Sequence, residues 1–335
     1  MSDETVITNE LREIKDKLEK EIEGCELVTC VRAHIRVNIT RTPRKSLGVC
    51  LQFPPEGYPV SPILLELKSK TLEDKLLDGL TRVCDQEAKK LQGQKQVIPI
   101  LKFIKDFIDQ NPLCCCSGEI NDIKKNVLQE GDEIKLRQKD SAVIVKASQG
   151  KYTFSYKLIV PDNYPVEPVK TEEKSNSFSP DMRVYFRANA TEIARKCTQP
   201  PLNAKKAKEW QPRPSLLPVI NFLIRDGVKR FPVADCPLCR KRSFPEDPAD
   251  VVVDCHADLY VERVYCGHLF HHKCLDVYMK TPPFDGGKKC PECSKRIFHD
   301  KWNATPEVAE ARWAHEQAKH RELADVVDFL GDLAI

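Results

Sequence analysis

The sequence predicts an α+β protein in which one α+β sandwich occurs twice, followed by a small Cys/His-rich module and a helical C-terminal tail. Three observations predict this class. A Tyr-Pro-Val segment with flanking prolines occurs twice at a domain-sized separation, each copy lies among strands of alternating hydrophobicity, and eight closely spaced cysteines and histidines follow the second copy. At 335 residues, the chain is long enough for two or three domains.

The first copy is predicted to begin with a helix and continue as strands. The helix runs from Asn9 to Glu23, where leucines and isoleucines recur on one face. Apolar and polar residues then alternate over 35–39 and again over 47–53, which predicts two strands. The apolar segment ILLEL, after the Tyr-Pro turn, ends this part of the copy.

The second copy has the same order of elements. Ile120, Ile123 and Val127 mark a shorter helix, and the clearest alternation in the chain runs from Tyr152 to Val160. Helices are predicted to close both copies, because the segments IPILKFI and LPVINFL align. The second copy carries extra residues, which we place around CTQPPLNAKKAKEWQPRPS.

The repeated turn reads PEGYPVSP from Pro55 and PDNYPVEP from Pro161. Proline fixes its own φ and restricts the preceding tyrosine to extended conformations, so the turn is stiff. In this context the turn resembles that of the RWD family, whose fold is related to that of ubiquitin-conjugating enzymes. The resemblance covers residues 5–112 and 119–231 and predicts two tandem RWD sandwiches. A purely structural role for the turn is the simpler interpretation, and ligand binding is the alternative.

Neither copy is predicted to be an active conjugating enzyme. The His-Pro-Asn element of that family does not occur in the sequence, and His34 is the only histidine before the Cys/His-rich module. The run LCCCSG, residues 113–118, is predicted to be a linker with exposed cysteines and no nearby basic group that would lower a thiol pKa. Lipidation of this run is the alternative.

Eight residues of the module have metal-ligand spacing. Each CxxC pair lets two thiolates in one tight turn reach the same tetrahedral zinc, so eight ligands predict two zinc ions. The predicted ligands are Cys236, Cys239, Cys266, His268, His271, Cys274, Cys290 and Cys293. His272 is interpreted as a bystander, because only one residue separates it from Cys274, and the pair Cys255-His256 is an alternative ligand pair.

This order of ligands resembles that of the RING finger family in its two-histidine form. The resemblance implies an interleaved arrangement in which the first and third ligand pairs hold one zinc and the second and fourth pairs hold the other. The first zinc would then be bound by Cys236, Cys239, His271 and Cys274, and the second by Cys266, His268, Cys290 and Cys293. Four protein ligands leave no open position for water, which argues against zinc-dependent hydrolysis.

The RING resemblance also implies a function. RING ubiquitin ligases dock a ubiquitin-charged conjugating enzyme in a shallow groove, and the matching positions here are Leu238, Tyr278 and Pro291. Such a ligase promotes transfer to a lysine of a protein substrate without a covalent intermediate, so no catalytic residue is expected on this chain. Many active members brace ubiquitin with an arginine after the last ligand, whereas this chain has Ser294, followed by Lys295 and Arg296.

The predicted domain order is similar to that of the Fanconi anaemia group L ubiquitin ligases. It consists of two RWD domains (5–112 and 119–231), a RING module (232–300) and a tail (301–335). The segments HKCLDVY and CPECSK carry this likeness. By analogy, the RWD domains would select the substrate or a partner. The alternative is an adaptor that uses all of its modules for binding only.

The tail is predicted to be a charged helix that begins at Pro306 after a Thr305 cap. This helix is either solvated or docked through Trp313 and VVDFL.

Composition sets limits on location and partners. The net charge is +3 with 31% charged residues and no basic run, so there is no strong signal for nucleic-acid binding. No stretch approaches 18 apolar residues, and the polar N-terminal segment lacks the apolar core of a signal peptide. The fifteen cysteines are therefore expected to be reduced thiols and metal ligands in a cytoplasmic or nuclear protein.

Overall fold

The chain divides into two compact units in a computed structural model. The first unit comprises Met1–Ala147, Phe154–Ser175 and Tyr185–Arg225, and the second comprises Ser148–Thr153, Asn176–Val184 and Asp226–Ile335. The structure describes residues 3–42, 44–201, 207, 209–302 and 304–332. Among these residues, no helix combines the length and the apolar character needed to cross a bilayer.

The first lobe, residues 3–110, is a four-stranded antiparallel sheet with three helices. Its strands follow one another in the order β1-β2-β3-β4 and are β1 (Cys25–Cys30), β2 (Ile35–Thr42), β3 (Lys45–Gln52) and β4 (Leu64–Lys68). Its helices are α1 (Asp3–Glu21), α2 (Asp74–Lys90) and α3 (Val97–Gln110). Helix α1 begins at Asp3, six residues before the predicted start at Asn9, because the buried side chain of Ile7 extends its apolar face.

The alternation predicted for the first copy is confirmed. Residues of β2 and β3 that face the same side of the sheet lie opposite one another. Val37 is opposite Val49, and Ile39 is opposite Leu47. All four side chains are buried in one core. Strand β1 was not predicted, because its register is interrupted between Leu27 and Thr29 and only one of its residues, Cys25, is fully buried.

The second lobe, residues 117–228, has another four-stranded sheet. Its strands, in the order β5-β6-β7-β8, are β5 (Glu133–Arg137), β6 (Ala142–Gln149), β7 (Tyr152–Ile159) and β8 (Lys170–Asn176). Its helices are α4 (Ser117–Asp122), α5 (Pro180–Thr198) and α6 (Leu216–Asn221), with π-helical turns Ile123–Val127 and Phe222–Val228 continuing α4 and α6. The extra residues of this copy lie between α5 and α6, where residues 202–206 and 208 are outside the described residues.

The tyrosine of the first Tyr-Pro turn joins three elements of its lobe. The hydroxyl of Tyr58 donates to the carboxylate of buried Glu10 on α1. The other oxygen of Glu10 accepts from the backbone N–H groups of Gln96 (3.0 Å) and Val97 (2.9 Å) at the start of α3. Burial raises the pKa of both Glu10 and Tyr58. Tyr58 therefore has a structural role in the turn, as the simpler of the two interpretations predicts.

The second lobe repeats this arrangement. The hydroxyl of Tyr164 donates to Glu119 on α4 and accepts from the backbone N–H groups of Ser215 (2.8 Å) and Leu216 (3.0 Å) at the start of α6. The other oxygen of Glu119 accepts from the N–H of Leu217 at 2.9 Å. In both lobes, a helix carboxylate and a turn tyrosine together satisfy the free N–H groups of a later helix.

Tyr58→Phe and Tyr164→Phe are expected to destabilise the protein by similar amounts. Each substitution removes the donor to one oxygen of a helix carboxylate, and leaving such a group unsatisfied costs about 1–3 kcal/mol. Denaturant unfolding of the full chain measures the change. Tyr265→Phe is the matched control, because Tyr265 is 77% exposed. A loss at Tyr58 alone would contradict the equivalence of the two lobes.

The prediction of exposed linker cysteines is wrong. Cys114 and Cys116 are buried and Cys115 is half-buried, in a 3-10 helix, Pro112–Cys116, that leads directly into α4. Burial raises the pKa of Cys114 to about 11. Cys115 differs, because a hydrogen bond with the Cys116 thiol and the nearby charge of Lys45 lower its pKa. Sequence alone did not show that the distant Lys45 lies close to this run.

The C-terminal part of the chain contains a short hairpin and two helices. The hairpin pairs β9 (Val261–Arg263) with β10 (Leu269–His271), and α7 (His272–Lys280) follows it directly. Helix α8 (Pro306–Asp332) begins at the predicted residue, with the Val308 N–H donating to the Thr305 hydroxyl at 3.4 Å. Trp313 of α8 is half-buried and lines a cavity of about 1140 Å³ together with segment 296–302.

Candidate metal centre

The eight predicted ligands converge into two groups. One group contains Cys236, Cys239, His271 and Cys274, and the other contains Cys266, His268, Cys290 and Cys293. Within each group, the sulfur and nitrogen atoms lie within 4.8 Å of one another. The first and third ligand pairs thus meet, and so do the second and fourth.

The first group is built on a tight turn, a strand end and a helix start. The turn holds Cys236 and Cys239 and is closed by hydrogen bonds from Cys236 N to Lys241 O and from Arg240 N to Cys236 O, both 2.8 Å. His271 ends β10, and Cys274 lies in the first turn of α7. The Nδ1 atom of His271 is 3.3 Å from the Cys239 sulfur and 3.9 Å from the Cys274 sulfur.

The ring of His271 is oriented from its other nitrogen. Its Nε2 atom lies 3.0 Å from the backbone carbonyl oxygen of Arg242, which can accept a hydrogen bond only if Nε2 carries the proton. This tautomer leaves Nδ1 free to bind a metal, as second-sphere partners of ligating histidines generally do. The first site thus contains the orienting contact expected of a metal centre.

The second group joins the hairpin to the last CxxC turn. The Nδ1 atom of His268 is 3.3 Å from the sulfur of Cys266 and 3.5 Å from that of Cys290. The turn carrying Cys290 and Cys293 repeats the hydrogen bonds of the first one, from Cys290 N to Lys295 O and from Ser294 N to Cys290 O, both 2.8 Å. Ser294 has a φ of 58°, so it occupies the left-handed region that closes this turn.

The geometry and the donor chemistry of both groups fit a tetrahedral metal. A zinc ion with Zn–S about 2.3 Å and Zn–N about 2.0 Å places its sulfur and nitrogen ligands about 3.6 Å apart, close to the 3.3–3.9 Å distances in the two groups. Six thiols and two imidazoles are soft and borderline donors of the kind that zinc prefers. Both groups can therefore hold a metal ion.

The protonation of the thiols also favours a cation. Burial and the adjacent Cys236 and Cys239 thiols together raise the pKa of Cys274 to about 12. Against the effect of burial, His271 and backbone N–H groups lower the pKa of Cys236 to about 6. Clustered thiols thus resist joint ionisation, because neighbouring thiolates repel one another. Metal binding requires the thiolate form, and a bound dication offsets this repulsion.

His272 lies outside both groups, as predicted, and has a different role. Its Nδ1 atom is 2.9 Å from the buried carboxylate of Glu262, which also contacts His299 at 3.2 Å and Lys301 at 2.6 Å. This network attaches the segment after the last ligand to β9 and to α7. The alternative ligand pair, Cys255-His256, joins neither group.

His272→Ala is therefore expected to leave the metal content of the protein unchanged, whereas His271→Ala is expected to lower it. His271 supplies Nδ1 to the first group, but His272 supplies no donor to either group and its ring bonds to Glu262 instead. Elemental analysis of the two purified variants measures the difference between these neighbouring histidines. Equal metal loss in both variants would contradict the ligand assignment.

A shallow groove lies beside the first group. It has a volume of about 390 Å³ and is lined by Leu238, Tyr278, Val277, Thr281, Lys273 and two ligand cysteines, Cys239 and Cys274. Two of the three predicted docking residues, Leu238 and Tyr278, thus lie together. Pro291 is exposed but is not part of this lining. Sequence analysis did not identify Val277, although it lies one residue before Tyr278 and is 55% exposed.

The three residues after the last ligand are all exposed, but they differ in their surroundings. Ser294 forms the left-handed position of the turn, and Lys295 supplies the carbonyl that closes it. Arg296 lies 5.1 Å from the centre of the Phe298 ring. Arg296, two residues after Ser294, is thus the basic side chain of this segment that lies against an aromatic ring.

Residues 148–153 of the second lobe pack with the metal centre in one compact unit. The rings of Tyr152, Phe178 and Phe244 form a buried cluster with centroid distances of 4.9–6.0 Å. The Tyr152 hydroxyl donates to the Pro245 carbonyl at 2.9 Å, and Lys151 pairs with Asp247 at 2.8 Å. The tip of the β6–β7 hairpin therefore supports the loop that follows the first CxxC turn.

Comparison with known proteins identifies one family. The RWD domain family matches residues 5–108, which coincide with the first lobe. No curated protein matches the chain. An RWD domain near the N-terminus and two Cys/His groups that can bind metal, all in one mixed α/β chain, are thus the established features.

Proposed function

We propose that this chain is a RING-type ubiquitin ligase with two RWD domains and two structural zinc ions. The observation that carries the proposal is the interleaved pairing of eight donors beside an apolar groove. Interleaving is the ligand order that the RING resemblance implies. The match of residues 5–108 to the RWD family also supports the proposal, since the RWD fold is related to that of ubiquitin-conjugating enzymes.

The residues of this chain would act by positioning. Leu238, Val277 and Tyr278 would dock the conjugating enzyme, so that its thioester to ubiquitin is oriented for attack by a substrate lysine. Zinc in these sites would stabilise the loops that form the groove. Four protein donors at each site leave no position for a reacting water, so the metals have no part in the chemistry.

Three of the four thiols of the first lobe, those of Cys25, Cys30 and Cys84, are poorly suited to carry ubiquitin. Burial raises the pKa of Cys25 to about 11 and that of Cys84 to about 12, and it also raises the pKa of Cys30. The nucleophilic form of a cysteine is the thiolate, which these groups disfavour. This supports a ligase that does not use these three thiols as ubiquitin carriers.

The second lobe would be a second RWD domain. Its sheet order and its Tyr164–Glu119 contact to a later helix repeat those of the first lobe. Two such domains before a RING form an order similar to that of the Fanconi anaemia group L ubiquitin ligases. In that arrangement, the lobes would select a protein substrate or a partner.

An adaptor without ligase activity is the second candidate. Ser294 favours it, because a serine in the left-handed turn position cannot bridge ubiquitin and the conjugating enzyme as arginine does. A discharge assay separates the two candidates. The ligase hypothesis predicts that purified protein accelerates transfer of ubiquitin from at least one loaded conjugating enzyme in a panel to free lysine; no acceleration with any enzyme, despite binding, supports the adaptor.

Ser294→Arg is expected to accelerate this discharge by about 10- to 100-fold. Hydrogen bonds to charged donors contribute roughly 1.5–3 kcal/mol, which a guanidinium brace would add to the reactive conformation. Affinity for the uncharged conjugating enzyme should not change. If Lys295 or Arg296 already acts as the brace, Ser294→Arg has little effect and alanine at one of those two positions slows discharge. No effect of any of these variants would exclude a brace in this segment.

A further inference from the structure

Lys288 is a buried cation in the loop between α7 and the last CxxC turn. It is 8% exposed, whereas its neighbour Lys289 is exposed. Its ammonium group lies 4.6 Å from the centre of the Tyr278 ring and 5.2 Å from that of Phe284. Burying an ammonium group is unfavourable unless other groups replace its hydration, and two aromatic faces do so here.

The same ammonium group connects this loop to the wall of the groove. It donates a hydrogen bond to the backbone carbonyl of Thr281. Both Thr281 and Tyr278 line the groove beside the first metal group. Lys288, which is not itself part of this lining, therefore contacts two of the groove residues.

Further contacts fix both Tyr278 and Lys288. The hydroxyl of Tyr278 donates to the backbone carbonyl of Lys289 at 2.8 Å. The loop therefore contacts both the ring face of Tyr278, through Lys288, and its hydroxyl. The backbone carbonyl of Lys288 accepts from the N–H of Ile297 at 2.8 Å. Gly287 has a φ of 76°, a left-handed conformation that disfavours any residue with a Cβ atom, and the Arg296 side chain lies beside it.

We infer that Lys288 is a positioning residue that preforms the docking groove by fixing Tyr278 and Thr281. The partner is a conjugating enzyme, so this inference rests on the proposed function. A preformed groove costs less conformational entropy on binding than a mobile one. It also selects among conjugating enzymes by shape, because a fixed ring cannot move aside for a poorly fitting surface.

Lys288→Met tests the inference, with Lys289→Met as the matched control. Both substitutions remove one positive charge and keep an unbranched side chain of similar length, but only the first removes the buried cation. Lys288→Met is expected to weaken binding of the best conjugating enzyme of the panel by roughly 3- to 30-fold. It should also accelerate amide hydrogen exchange over residues 281–289, with the metal content unchanged.

Lys288→Arg adds a rescue variant, because a guanidinium also interacts with aromatic faces. It should recover part of the affinity and of the exchange protection. Equal exchange and equal affinity in Lys288→Met and Lys289→Met would overturn the inference. If no conjugating enzyme binds even the wild type, docking is refuted, and the exchange of residues 281–289 alone still decides whether Lys288 fixes the groove wall.

Discussion

A chelator that removes the proposed zinc ions is expected to unfold residues 236–296 while the first lobe, residues 3–110, stays folded. The central core cluster of this module is small, with Val264, Phe270, Leu275 and Ile297 buried beside two ligand cysteines. Such a core is too small to offset the conformational entropy of about 60 residues. Structural zinc sites contribute apparent binding energies on the order of 10–16 kcal/mol, which here would supply most of the folding free energy.

Amide hydrogen exchange with and without chelator measures this directly. Protection should disappear in β9, β10 and α7, and it should fall in residues 148–153, because Tyr152 packs against Phe244 of the module. The strands of the first lobe are the internal control, since they have a separate core. Full protection of α7 in metal-free protein would contradict a zinc-dependent fold.

Leu238→Ala and Cys239→Ala are expected to separate docking from metal binding. Leu238 lines the groove, so its truncation should weaken conjugating-enzyme binding by at least about 30-fold, as truncation of a central interface residue does. Its side chain supplies no metal donor, so two zinc ions should remain. Cys239→Ala should lose both enzyme binding and zinc, because Cys239 belongs to the first group.

Leu238 is half-buried and also packs against the core of the module, so a second variant is needed. Val277→Ala removes an exposed side chain from the same groove and should weaken binding without changing the thermal stability. Isothermal titration with the best enzyme of the panel, together with elemental analysis, measures both properties. Zinc loss in Leu238→Ala with no effect of Val277→Ala would move the docking surface elsewhere.

The metal donors were predictable from sequence because their order and spacing are local properties of the chain. A CxxC pair forms within one turn, and hydrogen bonds such as that from Cys290 N to Lys295 O span only a few residues. Alternating strands were predictable for the same reason. Strand β7 has this period, whereas most residues of β5 are exposed and give no pattern.

Features that depend on distant contacts were not predictable. Burial of the Cys114–Cys116 run follows from its packing in a helix beside the first-lobe core, and the pKa of Cys115 reflects Lys45. Lys288 and Lys289 are identical neighbours in sequence, and only the positions of the Tyr278 and Phe284 rings distinguish them. The role of His272 likewise depends on Glu262, ten residues away along the chain.

The zinc content of the purified chain tests the central claim most directly, because the fold of the module, the groove and the proposed ligase all depend on it. Native mass spectrometry and elemental analysis should give two zinc ions per chain, one for each group of four donors. A chain with Cys236, Cys239, His271 and Cys274 all replaced should bind no more than one. One zinc ion or none in the wild-type protein would contradict the account.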